Sequence, residues 1–154
     1  MCGLAGAYTK EVQISHHNVE TVKKMVTHLS HRGPDHNSTL SEKNVCLGFT
    51  RLSIIDLKNG NQPFESLNKR FIIIFNGEIY NYLEVKKILK EKNLEFKTNS
   101  DTELLIESWS YWGKDCLKFL NGMFAFAIYD KLESKLILGR DRLGMKPLFY
   151  TFKE

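Results

Sequence analysis

Proline and cysteine are scarce in this chain, with three of each in 154 residues. The cysteines Cys2, Cys46 and Cys116 are odd in number and form no Cys-x-x-Cys pair. That argues against a disulfide framework and for a reducing, cytoplasmic compartment. The five histidines do not pair with cysteines at zinc spacing, so a structural metal is not expected. The longest apolar stretches, such as Met123–Tyr129, fall far short of the ~20 residues of a membrane span. Met1–Ala7 has no basic flank and turns polar by Thr9, unlike a signal peptide. No repeat or low-complexity segment occurs. Neither sign of charge dominates: 22 basic against 18 acidic residues leave +4. The densest lysines, Lys86, Lys87, Lys90 and Lys92, are mixed with Glu84, Glu91 and Glu95, as on a solvated helix face. Neither nucleic acid nor membrane is an expected partner. What is left is one globular domain, long enough to cover ~70% of its unfolded surface.

The pattern along the chain alternates runs of strand with helices. Gly3–Tyr8 is small and apolar and reads as a buried strand. Val19, Val22, Met25, Val26 and Leu29 follow helical spacing, and His31–Asp35 ends that helix because Gly33 and Pro34 break it. Val45–Ile55 is strand-like, interrupted near Gly48, and Asn59–Pro63 is a loop. Phe71–Phe75 is a buried strand that stops at Asn76-Gly77, a turn-prone dipeptide. Tyr82–Glu95 reads as a second helix. Ser100–Glu103 fits a capping box before a third, whose Leu105, Trp109 and Trp112 share a face. Met123–Tyr129 and Leu136–Gly139 are strands joined by a polar turn, and Leu148–Phe152 is a last strand. Runs of strands between clustered helices predict an α+β fold with largely antiparallel sheets.

Several residues could carry chemistry, each with a plainer alternative. With Met1 removed, Cys2 would hold a thiol and a free α-amine on one residue. An amine of ordinary pKa ~7.7–8.0 can take the thiol's proton, as in N-terminal nucleophiles. The alternative is a small residue that merely begins a strand. Asn76-Gly77 can offer an amide side chain and a backbone N–H at one point, the donor pair of an oxyanion hole, or be a turn. Arg51 could clamp a carboxylate bidentately, and Glu78 and Asp101 could hold an ammonium, together recognising an α-amino acid. Alternatively they are a strand residue, a turn residue and a helix cap. His31–Asp35 reads as a structural loop, Gly139–Pro147 as a basic turn, and Cys46 and Cys116 as inert packing.

Seven motifs occur in order: Met1–Gly6, His31–Asp35, Arg51–Asp56, Phe75–Asn81, Ser100–Glu103, Asn121–Phe126 and Arg140–Leu148. Together they resemble the N-terminal glutaminase domain of glutamine-hydrolysing asparagine synthetase, a class II, N-terminal-nucleophile glutamine amidotransferase. The resemblance covers nearly the whole chain, taken as one domain over residues 2–154. It implies a four-layer α-β-β-α sandwich of two largely antiparallel sheets. It implies Cys2 as nucleophile, Asn76 and Gly77 as the oxyanion hole, and Arg51 as the clamp on the glutamine α-carboxylate. Leu52, Ser53, Ile54 and Ile55 would line the pocket, and Glu78 and Asp101 would bind the α-ammonium. L-glutamine is the implied substrate, and no metal or organic cofactor is needed for its hydrolysis. ATP and Mg would serve an aspartate-activating synthetase domain, which would receive the ammonia and has no counterpart in this sequence.

Family glutaminase domains also run some tens of residues further, so the chain reads as incomplete at its C-terminus: a piece, a truncated product or half of a split enzyme. Two other functions stay open. One is an amidotransferase feeding another acceptor, such as a sugar carboxylate. The other is a non-catalytic remnant that binds glutamine or regulates a partner. A homodimer is compatible with the sequence, which does not fix the oligomeric state.

Overall fold

A computed structural model describes residues 2–54, 56 and 59–152. Within them, one sheet contains β1 (Gly3–Tyr8), β2 (His36–Glu42) and β3 (Val45–Arg51), in the order β1-β3-β2. A second contains β4 (Phe64–Glu65), β5 (Phe71–Ile79), β6 (Gly122–Asp130) and β7 (Lys135–Arg140), in sequence order. All these strand pairs are antiparallel. The helices are α1 (His16–His28), α2 (Tyr82–Glu91) and α3 (Asp101–Trp112).

The two-residue period of the strands sorts their side chains into layers. Val45, Leu47 and Phe49 of β3 meet Ile72, Ile74, Ala127 and Tyr129 of β5 and β6 between the sheets. The alternate residue Cys46 faces outward with Val22 and Val26 of α1. On the far side, Phe71, Ile73, Phe75, Phe124, Phe126 and Ile128 pack on Val85, Leu89, Leu104 and Leu105 of α2 and α3. The result is the expected α-β-β-α sandwich. Ser15 and Ser100 cap α1 and α3 by accepting the N–H groups of Asn18 and Glu103, an interaction typically worth ~1 kcal/mol. The capping box at α3 is one-sided: the Glu103 carboxylate turns to the N–H groups of Lys97 and Thr98 instead of reaching back to Ser100.

Five sequence expectations need correction. β3 runs through Gly48 without a break, because that glycine is where α1 comes closest; a Cβ there would lie 2.4 Å from Val26 Cγ2. The polar segment His36–Glu42 is a strand, paired to β3 residue for residue, although its side chains lack an apolar alternation. β5 continues through Asn76-Gly77 to Ile79, with Gly77 opposite Phe124. α2 stops at Glu91, with Asn93 in left-handed conformation just beyond. Residues 148–152 form no strand: they pair with no neighbour among the described residues, and Phe149 and Phe152 are about nine-tenths exposed. Among the described residues no helix is long and apolar enough to cross a membrane.

Candidate active site

One end of the sandwich gathers the polar side chains. Cys2 precedes β1, whose Gly3 lies opposite Thr50 near the end of β3, and Arg51 closes β3. Asn76 and Glu78 continue the inward series of Ile72 and Ile74 along β5, and Asp101 opens α3. All five, with Leu52, Ile54 and Gly77, line one cleft of about 130 Å³. That is small beside the ~300–1,000 Å³ of drug-sized pockets and suits a single small metabolite.

Cys2 is held from three directions. The Gly3 N–H donates to Thr50 Oγ1 at 3.0 Å, and that hydroxyl donates to Leu29 O at 3.2 Å. Arg32 Nε donates to the Cys2 carbonyl at 3.2 Å. The thiol faces the loop after β3: Leu52 N–H donates to Sγ at 3.4 Å, and Sγ lies 3.7 Å from Leu52 O. The His31–Asp35 loop braces this region, as Asp35 accepts the Ser53 N–H at 2.7 Å and donates its own N–H to Arg51 O at 3.0 Å.

Arg51 is buried, with Nη1 on Asn61 Oδ1 at 2.9 Å and Nη2 on Asp56 O at 2.7 Å. Its guanidinium occupies the space beside Gly60, where a Cβ would lie 2.5 Å from Nη2. The Asn99 N–H, aided by Asn59, holds the Asp56 carboxyl below its ordinary range and ties this loop to the lead-in of α3.

Gly77 fits because it has no side chain: a Cβ would sit 2.3 Å from Met123 O. Its φ is not positive, so close approach to β6 and not turn geometry demands the glycine. On the opposite edge of β5, Phe75 N–H donates to Gln62 Oε1 at 2.6 Å and Ile79 N–H donates to Asp101 Oδ2 at 3.2 Å. Peptide groups two residues apart point the same way along a strand, so the Gly77 N–H points to this edge, between Gln62 and Asp101. The carboxamide of Asn76, itself buried, has no hydrogen-bond partner among the described residues.

Burial pushes the Asp101 carboxyl up to about 6, and nearby Glu78 adds to the rise; N–H groups of Ile79, Asp101 and Thr102 counter it in part. A cation in the cleft would relieve this strain. Asp141 behaves oppositely: burial opposes its ionisation, but the N–H groups of Lys146, Met145, Phe124 and Leu143 together bring it down to about 2. This anchored turn carries Lys146 into the cleft lining.

Of the residues singled out from sequence, the structure brings Cys2, Arg51, Leu52, Ile54, Asn76, Gly77, Glu78 and Asp101 to one place. Ser53 is not among the lining residues, and Ile55 lies outside the described residues. Gln62, Thr102 and Lys146 also line the cleft and were not singled out. Gln62 stands in a loop with nothing in its local sequence to mark it, while Thr102 and Lys146 lie within the Ser100–Glu103 and Arg140–Leu148 motifs without a role assigned to them. Burial raises the Cys116 thiol to about 12 and lifts Cys46 as well, in keeping with inert packing.

A family model described as a glutamine amidotransferase domain matches residues 1–154. The chain is 41% identical over 152 residues to the glutamine-hydrolyzing asparagine synthetase 1 of Bacillus subtilis (strain 168), covering 98% of this chain and 24% of that protein. It is 34% identical over 157 residues to the glutamine-hydrolyzing asparagine synthetase B of Escherichia coli (strain K12), covering 100% and 27%. The chain thus spans about a quarter of the length of these curated relatives. Among solved structures, the glutamine phosphoribosylpyrophosphate amidotransferase from B. subtilis matches with a TM-score of 0.56 and 26% identity, over 70% of this chain and 25% of that one. The two-sheet sandwich, the polar cleft at its end and a family match along its whole length have one reading: the chain belongs to the glutamine amidotransferase domain family.

Proposed function

We propose that this domain hydrolyses L-glutamine to glutamate and ammonia, and that it supplies the ammonia to a synthetase domain that makes asparagine. The observation that carries the reading is the convergence on one small cleft of Cys2, the Asn76-Gly77 pair, Arg51 and Asp101. A cation and an anion beside a nucleophile match the carboxylate and ammonium of an α-amino acid with its side chain directed at sulfur. Among the described residues all three cysteines are unpaired, which supports a cytoplasmic location.

In this reading Met1 is removed and the Cys2 α-amine takes the thiol proton. Sulfur attacks the side-chain carboxamide carbon, and the C=O electrons move to oxygen. Asn76 Nδ2–H and the Gly77 N–H receive that oxyanion, each such donor being worth ~2.7–4 kcal/mol elsewhere. The C–N bond breaks as the α-ammonium returns its proton to departing ammonia. Water then cleaves the γ-glutamyl thioester, with the amine again as base. Arg51 holds the α-carboxylate, and Asp101 with Glu78 holds the α-ammonium. Protein groups and water balance every step, so no cofactor is assigned to this half; ATP and Mg belong to the synthetase half. The test is glutamate release by the chain with Met1 removed, confirmed by mass spectrometry. Cys2→Ala is expected to abolish release while cooperative unfolding is retained; glutamate production by that variant refutes the nucleophile.

A further inference from the structure

Odd-numbered residues of β5 direct their peptide groups to the β4 edge, and each is met differently. Phe71 is bonded by Ser66, Ile73 pairs with Phe64, and Ile79 donates to Asp101. With Phe64 opposite Ile73, two more steps of the same ladder would put the backbone of Gln62 opposite Phe75 and that of Gly60 opposite Gly77. The ladder ends before either. Phe75 is satisfied by the side chain of Gln62: its N–H donates to Oε1 at 2.6 Å, and Nε2 donates to Phe75 O at 3.2 Å. A carboxamide carries the same donor and acceptor as a peptide group, so it replaces one rung of the sheet. The same Nε2 donates to Thr102 Oγ1 at 3.1 Å on α3, and the Ser38 hydroxyl of β2 holds the Gln62 carbonyl. The main chain leaves toward the other sheet. Gly77 therefore keeps a peptide edge facing the cleft, fixed on one side by Gln62 and on the other by Asp101.

We propose that Gln62 is a positioning residue for the Gly77 N–H: it ends the ladder with its side chain, so that this N–H stays uncovered and aimed at the developing oxyanion. The proposal rests on the glutaminase reading above. A residue that acts only on the oxyanion affects the transition state and not ground-state binding. With Met1 removed, Gln62→Leu should lower kcat for glutamine by roughly 100-fold, the scale of one lost donor, with KM within about threefold. Thr102→Val keeps both Phe75 bonds and removes one anchor of the carboxamide, so its loss of kcat should be smaller, roughly fivefold, again without change in KM.

A glutamine analogue with an aldehyde in place of the carboxamide forms a tetrahedral thiohemiacetal with the Cys2 sulfur. Its affinity should fall in step with kcat across the variants, while glutamate affinity stays constant. A merely structural role would not split these readouts. If Gln62→Leu does not fold, Thr102→Val decides. Wild-type hydrolysis with kcat unchanged in every folded variant, or with losses confined to KM, overturns the proposal alone. No hydrolysis by the wild-type chain overturns the glutaminase reading and the proposal with it.

Discussion

Replacing Asp101 by asparagine separates what its charge does to the fold from what it does for a ligand. The carboxyl is 5% exposed, and burial is the main reason it titrates at about 6 instead of its ordinary 3.8. Because the folded value is the higher one, ionisation opposes folding. The penalty is absent below pH 3.8, grows as pH rises, and is complete above about 6. At ~1.4 kcal/mol per tenfold change in proton affinity, it amounts to about 3 kcal/mol near neutrality and roughly half that near pH 5.

Asparagine has nearly the same shape, and its Oδ1 can still accept the Ile79 N–H. The stability gap between Asp101→Asn and wild type, from urea unfolding, should therefore widen in the variant's favour by roughly 2.4 kcal/mol between about pH 4 and 7. The pH-dependent part is diagnostic, since any packing cost of the substitution is constant. Glutamine binding, measured on a Cys2→Ala background to avoid turnover, should move oppositely. Losing the partner of the ammonium should weaken it at least ~10-fold near neutral pH, given ~1.5–3 kcal/mol for a charged hydrogen bond. Wild-type affinity should fall as pH drops through about 6, and binding there should release protons. A stability gap flat with pH, or glutamine affinity unchanged in Asp101→Asn, refutes the reasoning.

Two other substitutions test the surroundings. Gly77→Ala places a Cβ 2.3 Å from Met123 O; the strands must part, so a loss of ~1–3 kcal/mol in unfolding free energy and a fall in kcat are expected. Ser108 Oγ, fully buried on α3, has no hydrogen-bond partner among the described residues. Ser108→Ala should raise unfolding free energy by ~1 kcal/mol with kinetics unchanged, and a destabilised variant would show that the hydroxyl has a partner.

The apolar strands and the helix caps were readable because their causes are local. Ile72–Ile74 and Met123–Tyr129 must be buried wherever they stand, and Ser15 and Ser100 need only the next turn of chain to cap it. β2 was missed because its pairing with β3 supplies an order that its polar residues do not advertise. Asn76-Gly77 looked like a turn because the dipeptide tolerates one; β6 alongside it makes it strand, pairing Asn76 with Ala125 and Gly77 with Phe124, far away in sequence.

The sequence alone determined the chemistry available: a cysteine that can become N-terminal, an amide and a glycine in tandem, one arginine and two carboxylates in matching motifs. Tertiary structure decided that they meet. The inter-sheet faces of β3 and β5 carry Arg51, Asn76 and Glu78 to the same end as Cys2, where α3 delivers Asp101. It also recruited Gln62, whose role exists only because its side chain meets a strand thirteen residues on. Residue type fixes which bonds a group can make; the register of two sheets and the approach of a helix fix which of them it does make.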